Sequence, residues 1–361
     1  MSHSRKQINA LENGAAQIPP YPCVSVVVAT YNQQKLLAQC LTSILDQDYR
    51  PMEVIVVENG SSEDVRAVLR GLVPNARVIR NRENLGFAGG YNTGMRVATG
   101  EYVAILNDDA VACSDWLTRM VAVAENDKAI GVVGSIILDG NRPGFLDSCG
   151  VGVAFDGMSR QAMRGRIPPV LSRPKEVLLA SGCACLFRVQ ALQEVGLFDE
   201  DFFAYCEDTD LGLRLRRAGW KAAIAPGAVV NHYYSMTTGR LSLRKLYWVE
   251  RNHLWVAMKN FPLLILPLVP LVTLWRHLVQ LLVAQLGPEE FRTFRVKAGP
   301  LRIAYTVARA NIDAVAGIPA MLRKRKAASA SHRVTSREMC KLLFAFRLPV
   351  SEILGVDRAG E

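Results

Sequence analysis

Short apolar runs rich in β-branched residues alternate with helix-like segments over the first 135 residues of the chain. The runs lie at residues 24–29, 54–57, 76–79, 102–106 and 130–133. Between them apolar residues recur every three or four positions, which predicts helices over residues 34–46, 87–98 and 115–125 and another beginning at residues 61–64. Strands that are apolar on both faces and separated by such helices form parallel sheets with helices on both sides. The pattern therefore predicts an α/β fold with a mostly parallel sheet.

Polar residues follow each of the first four predicted strands. In a parallel sheet the ligand binds beyond the carboxyl ends of the strands. Polar residues at one strand end are ordinary loop composition, but four such sets at one edge of a sheet predict a binding site. The sets are Thr30, Tyr31 and Asn32; residues 58–62; residues 81–86; and Asn107, Asp108 and Asp109.

Two adjacent carboxylates, Asp108 and Asp109, follow the fourth predicted strand. Neighbouring carboxylates repel each other unless a cation or hydrogen-bond donors offset their charge. Mg²⁺ and Mn²⁺ prefer oxygen ligands and bridge to substrate phosphates, so the pair predicts a divalent metal site. The alternative is a loop or helix cap that leads to Ser114 and Asp115.

A glycine-rich segment at residues 84–94 lies between the third and fourth predicted strands. It matches neither the GxGxxG of a dinucleotide-binding fold nor the GxxxxGK[ST] of a P-loop. Glycines permit close approach to the backbone, and the helix that follows can present N–H groups to an anion. Tight packing of this helix on the sheet is the alternative.

Acidic and aromatic residues are concentrated at residues 199–210, and a helix is predicted from Glu207 to Ala218. Acids in the first turn of a helix suit its dipole, which is a purely structural explanation. A carboxylate beside aromatic residues and near a metal site can equally act as a general base. His232 follows the apolar run 228–230 and is either structural or a metal ligand.

These segments together resemble the inverting family 2 glycosyltransferases with the GT-A fold, in particular the bacterial rhamnosyltransferases and galactofuranosyltransferases of surface-polysaccharide biosynthesis. The resemblance covers residues 22–260 and implies a Rossmann-like sheet flanked by helices. It rests on Thr30-Tyr-Asn, Glu58-Asn-Gly-Ser-Ser, Asn84-Leu-Gly-Phe-Ala-Gly-Gly, Leu106-Asn-Asp-Asp, Phe198-Asp-Glu-Asp-Phe-Phe and Tyr205-Cys-Glu-Asp-Thr-Asp-Leu.

The resemblance also implies a role for individual residues. Asp208 corresponds to the catalytic base, with Glu207 and Tyr205 on the acceptor side. Asp109 and His232 correspond to metal ligands for Mg²⁺ or Mn²⁺. Glu58 stands where the family usually has an Asp that contacts a pyrimidine base. The full set expected to bind the nucleotide sugar is Thr30, Tyr31, Asn32, Glu58, Asn84, Gly86, Gly89, Asn107 and Asp108.

The reaction implied is transfer of a sugar from a dTDP- or UDP-linked donor to a lipid-linked glycan, with L-rhamnose as the expected sugar. Asp208 removes the proton of the acceptor hydroxyl, and a single displacement inverts the anomeric centre. The alternative is a non-catalytic nucleotide-sugar-binding or scaffold protein of a glycan-assembly complex.

The domain organisation follows from the same resemblance. Residues 1–21 form an N-terminal extension and residues 22–240 the catalytic domain. Its nucleotide-sugar half covers about residues 22–135 and its acceptor half about residues 136–240. Residues 241–361 form a helical C-terminal region.

Positive charge is confined to this C-terminal region. Residues 240–361 contain 20 Lys and Arg against 8 Asp and Glu, whereas the rest of the chain contains 23 against 25. Such an excess indicates either an anionic partner or a basic tail that is simply solvated. Nucleic acid would explain the basic region but not the acidic residues at the strand ends, so an anionic membrane surface is the expected partner.

An apolar segment at residues 262–286 lies in the basic region, with a helix predicted from Pro270 to the residue before Gly287. Its 17 residues span about 25 Å, less than the ~30 Å of a bilayer core. The segment is therefore expected to lie in the membrane interface, with packing on the catalytic domain or on a second copy in a homo-oligomer as alternatives. A polar stripe runs along it at Thr273, Arg276, His277 and Gln280.

The compartment is predicted from two further features. The eight cysteines include no CxxC pair, and the first 22 residues contain no apolar run typical of a signal peptide. Cys183 and Cys185 alternate along a predicted strand and should point to opposite faces. These features favour the cytoplasm, and with the resemblance to bacterial enzymes and the apolar segment they predict a peripheral protein on the cytoplasmic face of the bacterial inner membrane.

Overall fold

The computed structural model describes residues 21–62, 65–233, 242–286, 289–349 and 352, without the side chains of residues 66–68, 282–292 and 294. Residues 1–20 of the predicted extension, Glu63 and Asp64 of the predicted helix start, and the boundary near residue 240 lie outside this description. The strands are β1 Val24–Thr30, β2 Met52–Asn59, β3 Arg77–Asn81, β4 Tyr102–Leu106, β5 Ala110–Ala112, β6 Ile130–Asp139, β7 Leu146–Ser148, β8 Val151–Val153, β9 Ser159–Gln161, β10 Lys175–Val177, β11 Ala184–Arg188 and β12 Lys221–His232.

Where the sequence predicted a helix, the observed helix begins and ends within a few residues of the predicted positions. They are α1 Gln34–Leu45, α2 Arg66–Leu72, α3 Gly86–Met95, α4 Trp116–Asn126, α5 Val189–Val195, α6 Glu207–Arg217, α7 Leu243–Asn260, α8 Val269–Leu286, α9 Glu289–Ala298, α10 Pro300–Ala328 and α11 Ser336–Ala345. Short 3₁₀ helices lie at Glu200–Phe202, Leu263–Leu268 and Ser329–Ser331.

The central sheet confirms the α/β prediction and has the order β10-β12-β6-β11-β4-β1-β2-β3. β1 pairs in parallel with β2 and β4, and β12 pairs in parallel with β6. β11 is antiparallel to both of its neighbours, β4 and β6. The chain runs from β1 through β2 to β3 and then returns to place β4 on the other side of β1. This reversal opens a crevice at the carboxyl ends of β1 and β4, where α/β sheets bind ligands.

The two faces of the sheet are covered by separate apolar clusters. Val26 and Val28 of β1 pack on the face covered by α4, with the buried Trp116, and Val27 packs on the opposite face. Cys183 and Cys185 fall in these two different clusters, which confirms that they point to opposite faces. β1 and β4 are therefore buried on both faces, and the polar loops follow directly from these buried strands.

The C-terminal helices complete the interior of the domain. Trp255 of α7 and Met339 of α11 join Phe202 and Leu213 in a third apolar cluster. α10 lies so close to α7 that a Cβ added at Gly317 would approach the Trp255 ring to 2.5 Å. The basic region is therefore packed into the fold and shares a core with the residues around the predicted base.

Helix α8 lies on the protein with its polar stripe facing inward. Arg276 is 0% exposed and Thr273 is buried, whereas Leu271, Leu274 and Leu278 are exposed. The stripe does not face water, because Arg276 forms ion pairs with Asp156 and Glu250 inside the protein. The alternative that the helix packs on the catalytic domain is confirmed for the polar face, and the apolar face points outward.

Candidate functional site

The loops after β1 and β2 are tied to each other at the carboxyl edge of the sheet. Asn32 adopts a positive φ of 55°. Its backbone N–H donates to Ser61 Oγ at 3.1 Å, and its Oδ1 accepts from the Ser62 N–H at 2.9 Å. Glu58 is buried at the end of β2, with its Oε1 3.5 Å from Arg80 Nε. Thr30 is opposite Glu58 in the β1–β2 register, so Thr30, Asn32 and Glu58 lie on one side of the crevice.

Asn59 organises the glycine-rich segment. Its Nδ2 donates to the Gly86 carbonyl at 2.9 Å, and its Oδ1 accepts from Asn81 Nδ2 at 2.9 Å. Asn84 Oδ1 accepts from the Gly86 N–H at 2.8 Å and so starts α3. Gly86 has a φ of +71°, and a Cβ there would lie 2.3 Å from the Phe203 carbonyl oxygen. The glycine thus permits contact between α3 and the segment that leads to Asp208.

The fourth strand, β4, ends in a turn that carries Asn107, Asp108 and Asp109. Asn107 Oδ1 accepts a hydrogen bond from the Tyr91 hydroxyl at 3.1 Å. Burial, together with the charge of Asp109, raises the pKa of Asp108 to about 7. Asp109 is buried, and its Oδ1 lies 3.1 Å from His232 Nε2. The antiparallel pairing of β5 with the end of β12 produces this contact, since Ala110 is opposite His232.

His232 is held between two carboxylates. Its Nδ1 lies 2.8 Å from Asp147 Oδ2, and its Nε2 faces Asp109. Burial opposes the protonated ring, but Cys183, Asp109 and Asp147 nevertheless raise the pKa of His232 well above its ordinary value. Asp147 fixes the orientation of the ring, an arrangement that is typical of metal-ligating histidines.

The Asp109–His232 pair fits a divalent cation. Asp109 Oδ1 is buried, and its 3.1 Å contact with His232 Nε2 does not have the geometry of a hydrogen bond. Two neighbouring ligands about 2.1 Å from an octahedral ion lie about 3 Å apart, close to the distance between these two atoms. The described residues include no group of three or more His, Cys, Asp or Glu arranged to hold a metal. The remaining ligands would come from a substrate diphosphate, as is usual for Mg²⁺ and Mn²⁺.

Asp208, the predicted base, is fixed by three hydrogen bonds at the start of α6. Its Oδ2 accepts from the Gly182 N–H at 3.1 Å, and its Oδ1 accepts from the N–H and hydroxyl of Thr209 at 2.7 and 3.2 Å. Burial raises the pKa of Asp208 although these bonds oppose the shift. The carbonyl oxygen of Cys183, the residue after Gly182, accepts from the Asn107 N–H at 2.8 Å. The dipeptide 182–183 thus joins the base to the turn that holds Asp109.

Glu207 and Tyr205 occupy different environments beside the base. Glu207 is buried, and burial followed by the Asp208 charge raises its pKa well above the ordinary value. Tyr205 is half-buried, and its ring centroid lies 6.2 Å from that of Trp248. The Phe203 ring centroid lies 4.9 Å from that of Trp248. These rings form an apolar surface next to Asp208 on the side predicted for the acceptor.

Arg251 and Asn252 of α7 hold the segment before Asp208, a role that no motif in the sequence indicated. Asn252 Nδ2 lies 3.0, 3.0 and 2.7 Å from the carbonyl oxygens of Phe202, Ala204 and Tyr205. Arg251 Nε donates to Asn252 Oδ1 at 2.9 Å. The segment needs support because Phe203, Tyr205 and Cys206 all have positive φ values.

Residues 25–196 match the family model described as Glycosyl transferase family 2. The N-acetylglucosaminyl-diphospho-decaprenol L-rhamnosyltransferase of Mycobacterium tuberculosis is 28% identical over 60% of this chain and 77% of its own length. The poly-beta-1,6-N-acetyl-D-glucosamine synthase of Staphylococcus aureus is 24% identical over 72% of this chain and 63% of its own.

Solved structures show the same fold. GalNAc-T7 with UDP, GalNAc and Mn²⁺ superposes with a TM-score of 0.55 at 14% identity, over 66% of this chain and 49% of that one. This chain thus spans about half of that structure. The mannosyltransferase PcManGT from Pyrobaculum calidifontis, in complex with GDP-Man and Mn²⁺, gives a TM-score of 0.50 at 20% identity over 90% and 91% of the two chains. These neighbours have the GT-A fold.

Proposed function

We propose that this chain, whose residues 25–196 match the model of glycosyl transferase family 2, transfers a sugar from a pyrimidine nucleoside diphosphate to a lipid-linked glycan with inversion. The observation that carries the proposal is the link between Asp208 and the Asn107–Asp109 turn through residues 182 and 183. This link supports the proposal because it ties the proposed base to a turn that suits a cation and a diphosphate.

The proposed chemistry depends on a few side chains of this chain. Asp208 accepts the proton of the acceptor hydroxyl while that oxygen attacks the anomeric carbon. Its three hydrogen bonds hold the carboxylate in one orientation, so little reorganisation is needed at the moment of attack. One displacement inverts the anomeric centre, and the nucleoside diphosphate leaves.

On the donor side, Thr30, Asn32 and Glu58 face the nucleoside, and the glycine-rich start of α3 approaches the donor closely. Asp109 and His232 would hold a Mg²⁺ or Mn²⁺ ion, with Asp147 orienting the ring. Bound there, the ion neutralises the charge that develops on the leaving diphosphate.

The proposed acceptor and donor sugar come from a relative and from local chemistry. The Mycobacterium tuberculosis relative is named an L-rhamnosyltransferase for a diphospho-decaprenol acceptor, which supports dTDP-linked L-rhamnose as donor and a lipid-linked glycan as acceptor. Trp248, Phe203 and Tyr205 beside Asp208 offer the aromatic surface on which sugar rings stack.

We place the protein at the cytoplasmic face of the bacterial inner membrane, as a peripheral protein. Within the described residues, Leu263–Leu281 is the one helical stretch long and apolar enough to cross a membrane by length and composition. Its polar side is held against the catalytic domain by Arg276, while Leu264 on the other side is 82% exposed. Such a one-sided apolar surface suits burial in the interface of a bilayer.

The Asp109→Asn variant tests the donor site. It should bind UDP or dTDP in the presence of Mn²⁺ roughly 10- to 100-fold more weakly than the wild type and should not transfer sugar, because an anionic ligand is lost. Calorimetric titration of each nucleotide with and without Mn²⁺, alongside a transfer assay with a panel of nucleotide sugars, measures both effects.

Asp127→Asn is the matched control, because this partly exposed acid lies at the opposite edge of the sheet, just before β6. It should bind nucleotide and metal like the wild type. Unchanged affinity of Asp109→Asn for nucleotide with Mn²⁺ would remove Asp109 from the metal site. Absence of transfer by the wild type with every nucleotide sugar would favour the non-catalytic alternative.

A Leu274→Ser, Leu278→Ser double variant tests the membrane surface. Burying one Leu side chain contributes about 1.5–3 kcal/mol, so the variant should sediment with anionic vesicles at least tenfold less than the wild type. Its fold should be unaffected because both side chains are exposed. Equal sedimentation of the two proteins would show that α8 is not the membrane-binding surface.

A further inference from the structure

An open cavity of about 450 Å³ lies where the end of α6 meets the 3₁₀ helix Leu263–Leu268 and the end of α10. It is separate from the crevice at the carboxyl edge of the sheet. Four basic side chains line it, and two hydroxyl groups stand beside them. The basic residues are Arg217, Arg325, Lys326 and His332, and the hydroxyls are those of Ser329 and Ser336.

The positive charge in this cavity is not compensated. No Asp or Glu is among the described residues that line it. Burial and the nearby Arg325 lower the pKa of Arg217 to about 10. Burial, Arg217 and Arg325 likewise lower the pKa of His332. Cations crowded together in this way attract an anion, because an anion relieves both their mutual repulsion and their desolvation.

Arg217 also carries an unused hydrogen-bond donor. Its side chain is only 4% exposed, and its Nε donates to the Asn260 carbonyl at 2.9 Å. Its buried Nη2 has no hydrogen-bond partner within the described part of the chain. Leaving a buried charged donor unpaired costs stability, so a fixed guanidinium in this state indicates a place for an acceptor oxygen.

The same cavity borders the apolar surface of the preceding subsection. Leu263 and Leu264 form part of its wall, and both are exposed. They precede α8 directly, whose exposed leucines continue the apolar surface. An apolar surface that enters a bilayer brings its rim to the depth of the lipid phosphates.

We infer that this cavity binds the phosphate group of an anionic membrane lipid through Arg217, Arg325 and Lys326. The inference rests on the proposed membrane docking of α8 but on no step of the proposed sugar transfer. Binding in this cavity would be recognition of one headgroup at one site, in addition to a general attraction between the basic region and the membrane.

Matched charge changes on one helix test the inference. Arg325→Gln and Lys326→Gln remove charges that line the cavity, and Arg323→Gln removes an exposed charge of α10 that does not. Flotation with vesicles of phosphatidylcholine, with or without phosphatidylglycerol, gives the partition coefficient of each protein. On the anionic vesicles, Arg325→Gln should lose about tenfold more binding than Arg323→Gln, and none of the variants should differ on phosphatidylcholine alone.

Lys326→Gln guards against a folding defect, because Arg325 also donates to the Met258 carbonyl and Lys326 forms no such bond in the described structure. It too should lose more binding than Arg323→Gln. Equal losses in all three variants would overturn the inference and leave only a diffuse basic surface.

Titration with glycerol 3-phosphate separates a lipid from a soluble ligand. If Arg325→Gln no longer binds this probe but binds vesicles as well as Arg323→Gln does, the cavity is a site for soluble phosphates. That result would overturn the lipid assignment. Loss of vesicle binding by the Leu274→Ser, Leu278→Ser variant with retained binding of the probe supports the cavity as a phosphate site independent of the apolar surface.

Discussion

Asp208→Asn should lower kcat by roughly 10²- to 10⁴-fold while affinity for the donor stays near that of the wild type. The amide has nearly the shape of the carboxylate but cannot accept the proton of the acceptor hydroxyl. Its oxygen can keep the hydrogen bonds from Thr209, whereas the bond from the Gly182 N–H is lost. Steady-state kinetics with saturating donor, together with calorimetric titration of the nucleotide, separates the two effects.

Glu207→Gln is the matched control for this variant. Burial and the Asp208 charge favour the protonated form of Glu207, which Gln resembles. Its kcat should therefore remain within a few-fold of the wild type. A loss in Glu207→Gln as large as that in Asp208→Asn would assign the proton transfer to Glu207, and wild-type turnover of Asp208→Asn would exclude Asp208 as the base.

The pH profile gives a second measurement of the same group. Because the pKa of Asp208 is raised by burial, the ionised base forms at a higher pH than an ordinary aspartate requires. Turnover of the wild type should therefore fall as the pH is lowered through this raised pKa. The residual activity of Asp208→Asn should lack that acidic limb.

The sequence predicted the elements that depend on local pattern. The strands at the centre of the sheet are apolar on both faces, and this pattern located β1, β2 and β4 with their polar ends. The insertion of β11 antiparallel between β4 and β6 could not be predicted, because strand partners are chosen by packing over long sequence distances. This insertion is nevertheless what brings Gly182 to Asp208.

Long sequence distances also explain why some residues of the site could not be predicted. Asp109 and Asp208 lie in recognisable segments, whereas Asp147 and Asn252 are single polar residues without a local motif. Their partners are 85 residues away for Asp147 and about 50 for Asn252. Helical periodicity separated the two faces of α8 but could not show which face meets the protein, since the partners of Arg276 lie elsewhere in the chain.

Arg276→Met should destabilise the protein by roughly 3–5 kcal/mol, because it leaves buried carboxylates without their cation. Arg276 Nε donates to Asp156 Oδ2 at 2.8 Å, and its Nη1 and Nη2 donate to the two oxygens of Glu250 at 2.9 and 3.0 Å. All three side chains are buried. Denaturant unfolding curves of the two proteins measure the difference in the free energy of unfolding.

The control is Arg309→Met, which removes an exposed arginine 3.7 Å from Asp313 on α10 and should change the free energy of unfolding by less than about 1 kcal/mol. Adding Glu250→Gln and Asp156→Asn to Arg276→Met removes the unpaired charges and should recover much of the lost stability.

Hydrogen bonds from His277 and Arg276 hold the pKa of Glu250 below its ordinary value although burial opposes them. This contribution is therefore complete above the ordinary pKa of glutamate and is lost at lower pH, so the wild type should lose more stability on acidification than Arg276→Met. If Arg276→Met unfolds at the same denaturant concentration as the wild type, the buried ion pairs do not hold α8 on the catalytic domain. These ion pairs would then be no reason to place the apolar face of α8 on the outside of the protein.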